Sequence, residues 1–530
     1  MNKMFRNMKS NPIKWQIGSI LMGALVVLSA CKGNKSDGLD YLAVRFDSSD
    51  SWSIIDKDGR IVVYEEYPAD TYLSTIVDGV YWVYSNGKYQ LYNLDNPKIP
   101  VNDQEYTRAT PFRNGVAVVS NPNEPIRIIA KDGSTIATLS KDIVECNYFN
   151  SDGLGRIMNS KGKNGVINDK GQVLISPKYN SLSIGTDGVI LTYNDDDKLV
   201  VIDKNEKKLG EISLKTYNIV TGSYCEDKTI VTKCNDKEGV YIVLDKAGNE
   251  LFEISKAKYG NDSYVDGYLA FGGSDGKYGV VDDKGNTVIR PKYEYINNIG
   301  NGQFSVLKNS KWGVVDNQDN IIIGFMYDAW SLRLGNNYIL YSDDSFRMVN
   351  KAQKEIASFS DYSLFYSSTA EYVNTKDLAV KVYNSIAPFE NGMTAKQLAN
   401  RESLDANDFK WDFKINSFMS IDGKVSVLLS STYENRLTKE VTHQETEDDG
   451  WFAHTYTVSD GWVWKDDYPS SIIGTITVDD SSLSLKDIYY ALVEMVPDGH
   501  KKISEGVYST GKCTTRFTLE DSCIRIDITF

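Results

Sequence analysis

The sequence predicts a mainly β protein: a repeat array of about eight three- to four-stranded units, followed by a small α+β domain. Short runs rich in Val, Ile and Tyr, bounded by Gly, Asp and Asn, recur about every 35 to 40 residues between residues 41 and 362. That part of the chain lacks helical periodicity over three turns, whereas helix-type spacing begins near residue 370. The chain has 530 residues, which gives room for an array and an appended domain.

The first thirty residues are predicted to be a lipoprotein signal peptide. Four cations within the first fourteen residues precede an apolar run at 17–28. As a helix, this run of 12 residues would span about 18 Å, too little for a hydrocarbon core of about 30 Å. The run ends in Leu28-Ser29-Ala30-Cys31, which resembles the lipobox of bacterial lipoproteins. The resemblance implies that Cys31 becomes the mature N-terminus and carries the lipid; the alternative is a secretory signal that happens to end near a cysteine.

Residues 31–40 form a short polar tether in this interpretation. Lys32 follows the lipid site, in place of the aspartate that resembles an inner-membrane retention signal, so the resemblance implies the outer membrane. The formal net charge is −14, and cleavage of the cationic leader makes it more negative. Such acidity opposes docking on anionic phospholipid through the protein surface. It also argues against nucleic-acid binding, which requires a positive field.

The clearest repeat units share two segments in a fixed order. Residues 276–282 read Gly-Lys-Tyr-Gly-Val-Val-Asp, and residues 287–293 read Thr-Val-Ile-Arg-Pro-Lys-Tyr. Residues 311–316 repeat the first segment as Lys-Trp-Gly-Val-Val-Asp, and a third copy lies at 165–180. Asp-Gly or Asn-Gly pairs close most units, and their glycines supply the positive φ that a hairpin turn needs. These glycines are Gly79, Gly115, Gly153, Gly188, Gly267 and Gly302.

The segment from Lys311 to Asp316, with its tyrosine variant at 277–282, resembles the WG-repeat family of bacterial β-repeats. The resemblance extends over about three fifths of the chain and is strongest in these two units and in the one at 154–188. It implies an all-β scaffold and no activity. One aromatic residue per unit falls at the same phase, where we predict a core plug rather than a ligand cage. These aromatic residues are Trp52, Tyr89, Tyr278 and Trp312.

The stacked units at 41–362 could close into a β-propeller or stay open as a β-solenoid. A unit of three short strands cannot bury both of its faces alone, so neighbouring units must stack in either case. An open solenoid would need polar caps at both ends, whereas a propeller leaves only short, protected edges. The truncated unit at 338–362 could complete the first blade and lock the ring. The sequence therefore favours the propeller and keeps the solenoid as the alternative.

Residues 363–530 are predicted to form the α+β domain. Leu378, Val382 and Ile386 share one face of a predicted helix over 376–386, which follows the N-cap Asn374 and is terminated by Pro388 and Asn391-Gly392. Further helices are predicted at 395–401 and 484–495, and strand-type alternation occurs at 413–419, 424–431, 455–458 and 472–478. The chain closes on a predicted hairpin at 514–519 and 524–530.

The sequence offers little that would carry catalysis. Its three histidines, His443, His454 and His500, have no zinc-type spacing, and there is no glycine-rich phosphate loop. We therefore predict no metal site and no cofactor, and we assign no catalytic residue. A triad brings distant residues together in space, so a pocket in which His454 or His500 bonds a carboxylate would favour a hydrolase. Besides Cys31, five cysteines remain, and we expect no essential disulfide framework.

Aromatic residues concentrate between 451 and 468, flanked by glycines and acidic turns. Flat aromatic side chains on glycine-bounded hairpins can stack on sugar rings or act as interface hot spots. The candidate ligand-binding residues are Trp451, Trp462, Trp464 and Tyr468. The alternative is that these side chains form the core of the α+β domain.

These observations favour a non-catalytic, lipid-anchored protein of the cell envelope whose β-repeat scaffold binds another envelope protein. The alternative function is glycan binding through the C-terminal aromatic hairpins. A third interpretation is a hydrolase of unknown substrate.

Overall fold

The structure is a computed structural model that describes residues 39–530 except 47–48, 186–187, 195–197, 221–224, 235–239, 255–258, 261–263, 274, 365–367, 394–396, 398–412, 434–436, 449–452, 465–470 and 498. The chain forms two compact units, one ending at Tyr372 and the other covering Val373–Phe530. The first unit continues past residue 362, the predicted end of the array, because Ser363 and Thr369–Glu371 still pair with strands of that unit. Among the described residues, no helix is both long and apolar enough to cross a membrane.

The first unit is made of short antiparallel strands. In chain order they are β1 (Tyr41–Arg45), β2 (Ser51–Asp56), β3 (Ile61–Pro68), β4 (Tyr72–Leu73), β5 (Val80–Ser85), β6 (Lys88–Asn93), β7 (Arg108–Ala109), β8 (Val116–Ser120), β9 (Arg127–Ala130), β10 (Thr135–Thr138), β11 (Ile143–Asn147), β12 (Leu154–Asn159), β13 (Asn164–Asn168), β14 (Val173–Tyr179), β15 (Ser181–Ile184), β16 (Ile190–Asn194), β17 (Lys198–Ile202), β18 (Lys208–Ser213), β19 (Tyr217–Ile219), β20 (Lys228–Lys233), β21 (Tyr241–Asp245), β22 (Glu250–Ile254), β23 (Tyr259–Gly260), β24 (Tyr268–Gly272), β25 (Tyr278–Asp282), β26 (Thr287–Tyr293), β27 (Tyr295–Gly300), β28 (Gln303–Lys308), β29 (Lys311–Asp316), β30 (Ile321–Tyr327), β31 (Ala329–Leu334), β32 (Asn337–Ser342), β33 (Ser345–Val349), β34 (Glu355–Phe359), β35 (Asp361–Ser363) and β36 (Thr369–Glu371).

These strands form nine sheets, which we call blades 1 to 9 in chain order. Blade 1 is β35-β1-β2-β3, blade 2 is β4-β5-β6, blade 3 is β7 to β10, blade 4 is β11 to β14, blade 5 is β15 to β18, blade 6 is β19 to β22, blade 7 is β23 to β26, blade 8 is β27 to β30 and blade 9 is β31 to β34. Blade 4 has β36 as an additional strand beside β11. We call the edge of each sheet at which its first strand lies the axial edge; in blade 1 this edge strand is β35, and in blade 4 it is β36. The last strand of each blade forms the other edge and has several exposed residues, as in β26 and β30.

Each blade buries both faces, because consecutive positions of its middle strands are apolar. In β29, Val314 packs between blades 8 and 9, whereas Val315 packs between blades 7 and 8. In β25, Val280 packs between blades 7 and 8, and Val281 packs between blades 6 and 7. Successive side chains of a strand point to opposite faces, so the Gly-Val-Val segment supplies one residue to each of two interfaces.

Apolar clusters join every blade to the next, and one cluster joins blade 9 back to blade 1. That closing cluster combines Leu42 and Ile55 with Ile339 and Met348, among others. The ring is therefore closed, and the predicted propeller is confirmed. It has nine blades in place of about eight, because residues 329–359 form a complete blade although the sequence suggested only a truncated unit from 338.

The C-terminal end of the array closes the ring. The strand β35 pairs antiparallel with β1, and Ser360 N donates to Arg45 O at 2.8 Å. Beyond β35, the Ser363 hydroxyl donates to Leu73 O in blade 2 at 2.7 Å. The strand β36 then pairs antiparallel with β11 of blade 4. We call residues 361–364 and 368–371 the channel segment, because their contacts are with the axial strands of blades 1, 2 and 4 in turn.

The Asx-Gly pairs join the first and second strands of the blades. Both residues have positive φ at Asp78-Gly79, Asn114-Gly115, Asp266-Gly267 and Asn301-Gly302, as type I′ turns require. Neighbouring turns also bond one another: the Asp266 carboxylate accepts from Asn301 N at 2.6 Å, and the Glu226 carboxylate accepts from Gly267 N at 2.8 Å. These turns therefore position adjacent blades as well as reversing the chain.

The Pro-Lys-Tyr segment of the repeat contacts the following blade. In blade 7, Tyr293 Oη donates to Asp319 Oδ1 of blade 8 at 2.8 Å, and Lys292 pairs with the same carboxylate. In blade 4, Tyr179 and Lys178 contact Glu206 of blade 5 in the same way. Both acidic residues sit at positive φ, at turn positions where blades 1, 3, 4, 6 and 7 have glycine. We call this contact the Lys-Tyr contact. It offsets the backbone strain of a non-glycine residue at positive φ in the turn of the following blade.

The second unit is an α+β fold. It contains α1 (Thr375–Glu390), β37 (Phe413–Ile421), β38 (Val425–Tyr433), β39 (Leu437–Asp448), β40 (Ala453–Trp464), β41 (Ser471–Val478), α2 (Leu485–Glu494), β42 (Lys501–Ser504), β43 (Val507–Ser509), β44 (Thr514–Leu519) and β45 (Ile524–Thr529). One sheet has the order β37-β38-β41-β45-β44-β43-β42, and β39 and β40 form a separate two-stranded ribbon. The helices pack on one face of the seven-stranded sheet through Leu378, Val382, Ile386, Ile488 and Leu492.

Two predicted helices are confirmed, and one boundary is wrong. Asn374 caps α1 by accepting from Lys376 N, and Ser484 caps α2 by accepting from Asp487 N. The first helix continues beyond the predicted Ile386, through Pro388, to Glu390, so Pro388 does not terminate it, whereas Asn391 does. It is closed there by Asn391 N, which donates to Ala387 O at 3.1 Å. The helix predicted at 395–401 lies almost wholly outside the described residues.

Candidate functional site

The histidines are placed in the second unit. His443 lies on β39, where its Nε2 is 3.0 Å from Glu445 Oε1, and its side chain is 46% exposed. His454 belongs to β40, and its side chain is outside the described part. His500 is different, because it is buried and faces a carboxylate.

Glu390, His500, Cys513 and Thr515 form a buried polar cluster. The His500 Nε2 atom lies 2.6 Å from Glu390 Oε2, and the two side chains are 9% and 1% exposed. The Thr515 hydroxyl donates to the other carboxylate oxygen. Glu390 is the last residue of α1, and Thr515 belongs to β44, so the cluster ties the end of the helix to the sheet. This is the histidine–carboxylate pair that would be expected of a hydrolase.

The sulfur in this cluster is not activated. Cys513 Sγ donates to the backbone oxygen of Glu390 at 3.4 Å. Burial raises the pKa of the Cys513 thiol, and the nearby Glu390 charge raises it further, although hydrogen bonds with Thr510 and Thr515 oppose the change. A nucleophilic cysteine needs the opposite, a pKa lowered by cations or a helix N-terminus. The cluster therefore stabilises a carboxylate inside the core, and it provides no thiolate for covalent chemistry.

The described part of the chain contains no group of three or more His, Cys, Asp or Glu residues placed to hold a metal ion. The recurring aspartates of the propeller have a different use. Asp316 Oδ1 accepts from Gln318 N at 2.9 Å and from Asn320 N at 2.8 Å. Asn168 makes the equivalent contacts in blade 4. A residue that ends the third strand thus fixes the turn into the fourth strand.

The propeller has two unlike faces. Turns between first and second strands, and between third and fourth strands, emerge on one face, which we call the turn face. Turns between second and third strands and the connections between blades emerge on the other, the loop face. The turn face uses many of its carboxylates in bonds between neighbouring turns, as described for Glu226 and Asp266. The loop face is therefore better suited to an external partner.

Exposed tyrosines lie on the loop face. Tyr295 begins β27 and is 38% exposed; its ring lies 5.8 Å from that of Trp312 and 5.2 Å from that of Tyr278. Tyr72 begins β4, is 50% exposed, and packs at 6.4 Å from Tyr84. Tyrosine rings held in place by other rings are typical interface anchors, since little conformational entropy is lost when they bind. Sequence reasoning missed both residues, although each begins the first strand of a blade.

The predicted core-plug residues are confirmed at three of four positions. Trp52, Tyr89 and Trp312 are buried, and Trp312 packs between blades 8 and 9. Tyr278 is half-buried beside Tyr295 on the loop face.

Of the predicted ligand-binding residues, two lie on a described strand. Trp462 and Trp464 belong to β40, opposite Glu440 and Leu437 of β39. Trp451 and Tyr468 are outside the described residues, as is Cys31. Since β40 belongs to the separate ribbon, the tryptophans are not on a strand of the seven-stranded sheet. The five cysteines after Cys31 are free thiols: Cys146, Cys225, Cys234, Cys513 and Cys523.

The closed ring and its displayed loops define a β-propeller scaffold. A family model described as WG containing repeat matches residues 165–191 and 278–312, so these two parts of the chain are similar to WG repeats. A search of curated proteins found no match.

Solved structures resemble the chain only weakly. The crystal structure of BBS1N in complex with ARL6DN, soaked with lead, has 13% identity, a TM-score of 0.25, and coverage of 47% of this chain and 90% of that chain. Pyrococcus horikoshii acylaminoacyl peptidase has 12% identity, a TM-score of 0.27, and coverage of 68% and 58%. The crystal structure of HIRA(644-1017) has 13% identity, a TM-score of 0.15, and coverage of 40% and 55%. These scores are too low to support an argument about function.

Proposed function

We propose that the protein is a non-catalytic, lipid-anchored cell-envelope protein whose propeller binds another envelope protein through its loop face. The exposed Tyr72 and Tyr295, each packed against further rings, carry this proposal. Both residues stand on a closed ring whose blades are joined by apolar clusters. Such a scaffold holds binding residues in place with little reorganisation when a partner docks.

Photo-crosslinking in living cells tests the choice of face. A photoreactive amino acid at Tyr72 or Tyr295 should yield one crosslinked envelope protein. The same residue at Asp132 or Lys284, both exposed on the turn face, should yield none. Equal crosslinking from both faces, or none from the loop face, would contradict the proposal.

Anchoring rests on the lipobox-like Leu28-Ser29-Ala30-Cys31 and predicts attachment of lipid at Cys31. Several acyl chains, at about 0.8 kcal/mol per buried methylene, would hold the protein durably on a membrane. The Cys31→Ser variant should remain unprocessed and should not be labelled by a palmitate probe, and wild type should fractionate with the outer membrane. Cys234→Ser is the matched control and should be labelled like wild type. Equal labelling of Cys31→Ser and wild type would remove the argument for an anchor.

Glycan binding is a second candidate, favoured by the position of Trp462 and Trp464 on the ribbon outside the main sheet. If the ribbon binds sugars, Trp462→Ala should abolish binding to a glycan array while the thermal unfolding curve stays unchanged. Tyr295→Ala should leave glycan binding intact. Loss of folding in Trp462→Ala would instead assign the tryptophan to the core of the unit.

A further inference from the structure

The turn into the last strand follows one pattern around the propeller. In every blade except blade 2, the first residue of this turn donates its N–H to the backbone oxygen four residues later. Examples are Asp56 N to Arg60 O at 2.9 Å in blade 1 and Asp316 N to Asn320 O at 3.0 Å in blade 8. These turns lie on the turn face, so each last strand begins there and runs toward the loop face.

The last strands begin with aliphatic side chains at positions where a soluble rim would be polar. The second residue after the closing residue of the turn is aliphatic in all eight of these blades. These residues are Val62, Ile136, Leu174, Leu209, Leu251, Val288, Ile322 and Ile356. Packing between blades covers part of this ring, but it does not bury it.

Exposed apolar side chains are concentrated at this end of the last strands. Among the described residues of the first unit, twelve large apolar side chains are exposed, and seven of them are the first or second residue after a turn of this kind. They come from six blades, so they are spread around the turn face. We call these seven the rim residues: Ile61, Val62, Ile136, Val173, Leu251, Ile321 and Ile356.

Lysines follow the same circle. In seven of the eight blades the turn itself contains an exposed lysine, and these are Lys57, Lys131, Lys170, Lys204, Lys246, Lys284 and Lys351. They accompany exposed turn carboxylates such as Asp58 and Asp283, so this rim carries both signs of charge although the formal net charge of the chain is −14. A lysine beside apolar residues can keep its ammonium group in water or among lipid headgroups while its stem covers apolar surface.

The chain enters the propeller on the turn face. Leu39 N donates to Arg333 O at 3.2 Å, and Gly335 N donates to Leu39 O at 2.7 Å. Gly335 lies in the turn between β31 and β32, the first and second strands of blade 9. Cys31 precedes Leu39 by eight residues, which span at most about 26–29 Å when fully extended. A lipid on Cys31 would therefore keep the turn face close to the membrane.

We propose that the turn face rests on the membrane surface, with the rim residues inserted between the lipid headgroups and the upper acyl chains. The inference rests on the proposed lipid anchor and adds an orientation, in which the loop face and its tyrosines are turned away from the bilayer. A flat bilayer fits the rim better than a protein does, because the rim residues are all aliphatic and are spread over six blades. Protein interfaces instead concentrate Trp, Tyr and Arg near one centre.

The driving force for this insertion is burial of apolar area. The net negative charge of the chain opposes approach to anionic lipid, so vesicles of zwitterionic lipid are the appropriate probe.

The depth of single side chains in such vesicles tests the orientation. The full chain with Cys234→Ser and Cys523→Ser, which lacks the two less buried thiols, carries an environment-sensitive fluorophore at Ile321→Cys or at Ile136→Cys. On phosphatidylcholine–phosphatidylethanolamine vesicles isolated by flotation, nitroxide groups on the acyl chains should quench both labels. Met326→Cys is the matched control, because Met326 lies on the same strand as Ile321 and is 54% exposed against 61%, but at the loop-face end.

The label at residue 326 should not be quenched. Equal quenching at residues 321 and 326, or no quenching at either rim position, would overturn the proposal.

Vesicle affinity separates the role of the rim from that of the anchor. In a Cys31→Ser background, Ile321→Ser should lower the affinity for the same vesicles by about tenfold, since each buried methylene contributes about fourfold. Met326→Ser should leave it unchanged, and both variants share any contribution of the leader. Their thermal unfolding curves should coincide, because both side chains are exposed.

Equal affinities of these two variants would overturn insertion of the rim, even if a palmitate probe labels the wild type. A wild type that is not labelled, combined with the loss in Ile321→Ser, would instead contradict the anchor and support insertion of the rim.

Discussion

Asp316, at the end of the Trp-Gly-Val-Val-Asp segment, fixes a turn, and its negative charge contributes to stability in a way that depends on pH. Burial alone would raise the pKa of Asp316, but hydrogen bonds from Asn320 and from the Gln318 amide outweigh it and leave the pKa below its usual value. The pKa of Asp282 is lowered by the same balance. An unfolded aspartate titrates near 3.9, so these carboxylates contribute stability above about pH 4. That contribution is lost as pH falls through the lower pKa of the folded state.

The first prediction concerns Asp316→Asn. This change keeps a side-chain oxygen that can accept the turn hydrogen bonds, but it removes the group that titrates. Stability at pH 7 should change by less than about 1 kcal/mol, because the site is largely solvated. The decline in stability between pH 4 and pH 3 should become shallower, as measured by urea midpoints across that range. Asn168→Asp in blade 4 should make the decline in stability between pH 4 and pH 3 steeper. Unchanged slopes in both variants would contradict this role of the charge.

The second prediction concerns the buried polar cluster. His500→Ala should destabilise the second unit by about 3–5 kcal/mol, because it leaves Glu390 buried beside an empty site. Chemical denaturation followed by a probe in that unit measures the loss. His443→Ala is the matched control, since that histidine is exposed, and it should cost less than about 0.5 kcal/mol. Similar losses in the two variants would show that His500 does not balance the buried carboxylate.

At the scale of elements, the sequence predicted the strands that are long or that contain the repeated Gly-Val-Val-Asp or Pro-Lys-Tyr segments. The segments at β25, β26 and β29 were read correctly, because Gly and Asx residues bound their apolar runs. The axial strands were missed, because several are as short as β4 and β7, with two residues each. A strand of two residues has no periodicity to detect. Its position is set by pairing with the next strand, which depends on the whole ring.

The predicted terminal hairpin is present, and the structure fixes its register. A turn at Glu520-Asp521 would place Thr518 opposite Cys523, whereas the structure pairs Thr518 with Arg525 and Leu519 with Ile524. The loop has four residues and is closed by Glu520 N, which donates to Cys523 O at 2.9 Å. Turn length sets the register of a hairpin, and the sequence around the turn did not distinguish the two lengths.

The third prediction belongs to the interface of blades 8 and 9. Trp312→Ala should cost about 3–5 kcal/mol, the usual range for truncating a buried large aromatic residue. Hydrogen exchange should increase most in blades 8 and 9, because Trp312 packs between them. Tyr278→Ala, at the same phase of the repeat but half-buried, should cost clearly less. A loss below about 1 kcal/mol for Trp312→Ala would mean that it is not a core residue.

At the scale of the whole molecule, the period predicted a ring but not its number of blades. The degenerate copies hide where one unit stops, and blade 2 lacks the fourth strand that most blades have. The loop face could not be read from sequence either, because Tyr72 and Tyr295 are more than two hundred positions apart. Only the closed ring places both at the same end of their blades. The tryptophans of β40 were identified as candidates from the local concentration of aromatic residues. That signal is visible in the sequence without any knowledge of strand register.

The fourth prediction tests ring closure. Tyr362 of β35 pairs with Val44 and packs edge-on to Phe346 of blade 9, with ring centres 5.0 Å apart. Tyr362→Ala should therefore increase hydrogen exchange in blades 1 and 9 together, while blade 5 keeps its protection. Tyr64→Ala, which removes a ring that is 64% exposed on blade 1, should change neither. Protection lost in blade 9 alone would indicate that β35 does not couple the two ends.

The route of the channel segment also determines how the propeller responds to mechanical load. Tension applied through residue 373 meets β36 before it meets β35, because β36 is nearer to that point along the chain. The three-residue pairing of β36 with β11 would therefore break before the pairing of β35 with β1. The eight residues of chain between Ser363 and Tyr372 can span roughly 25–30 Å at full extension. Only after that length is taken up would force reach the strand that keeps the ring shut.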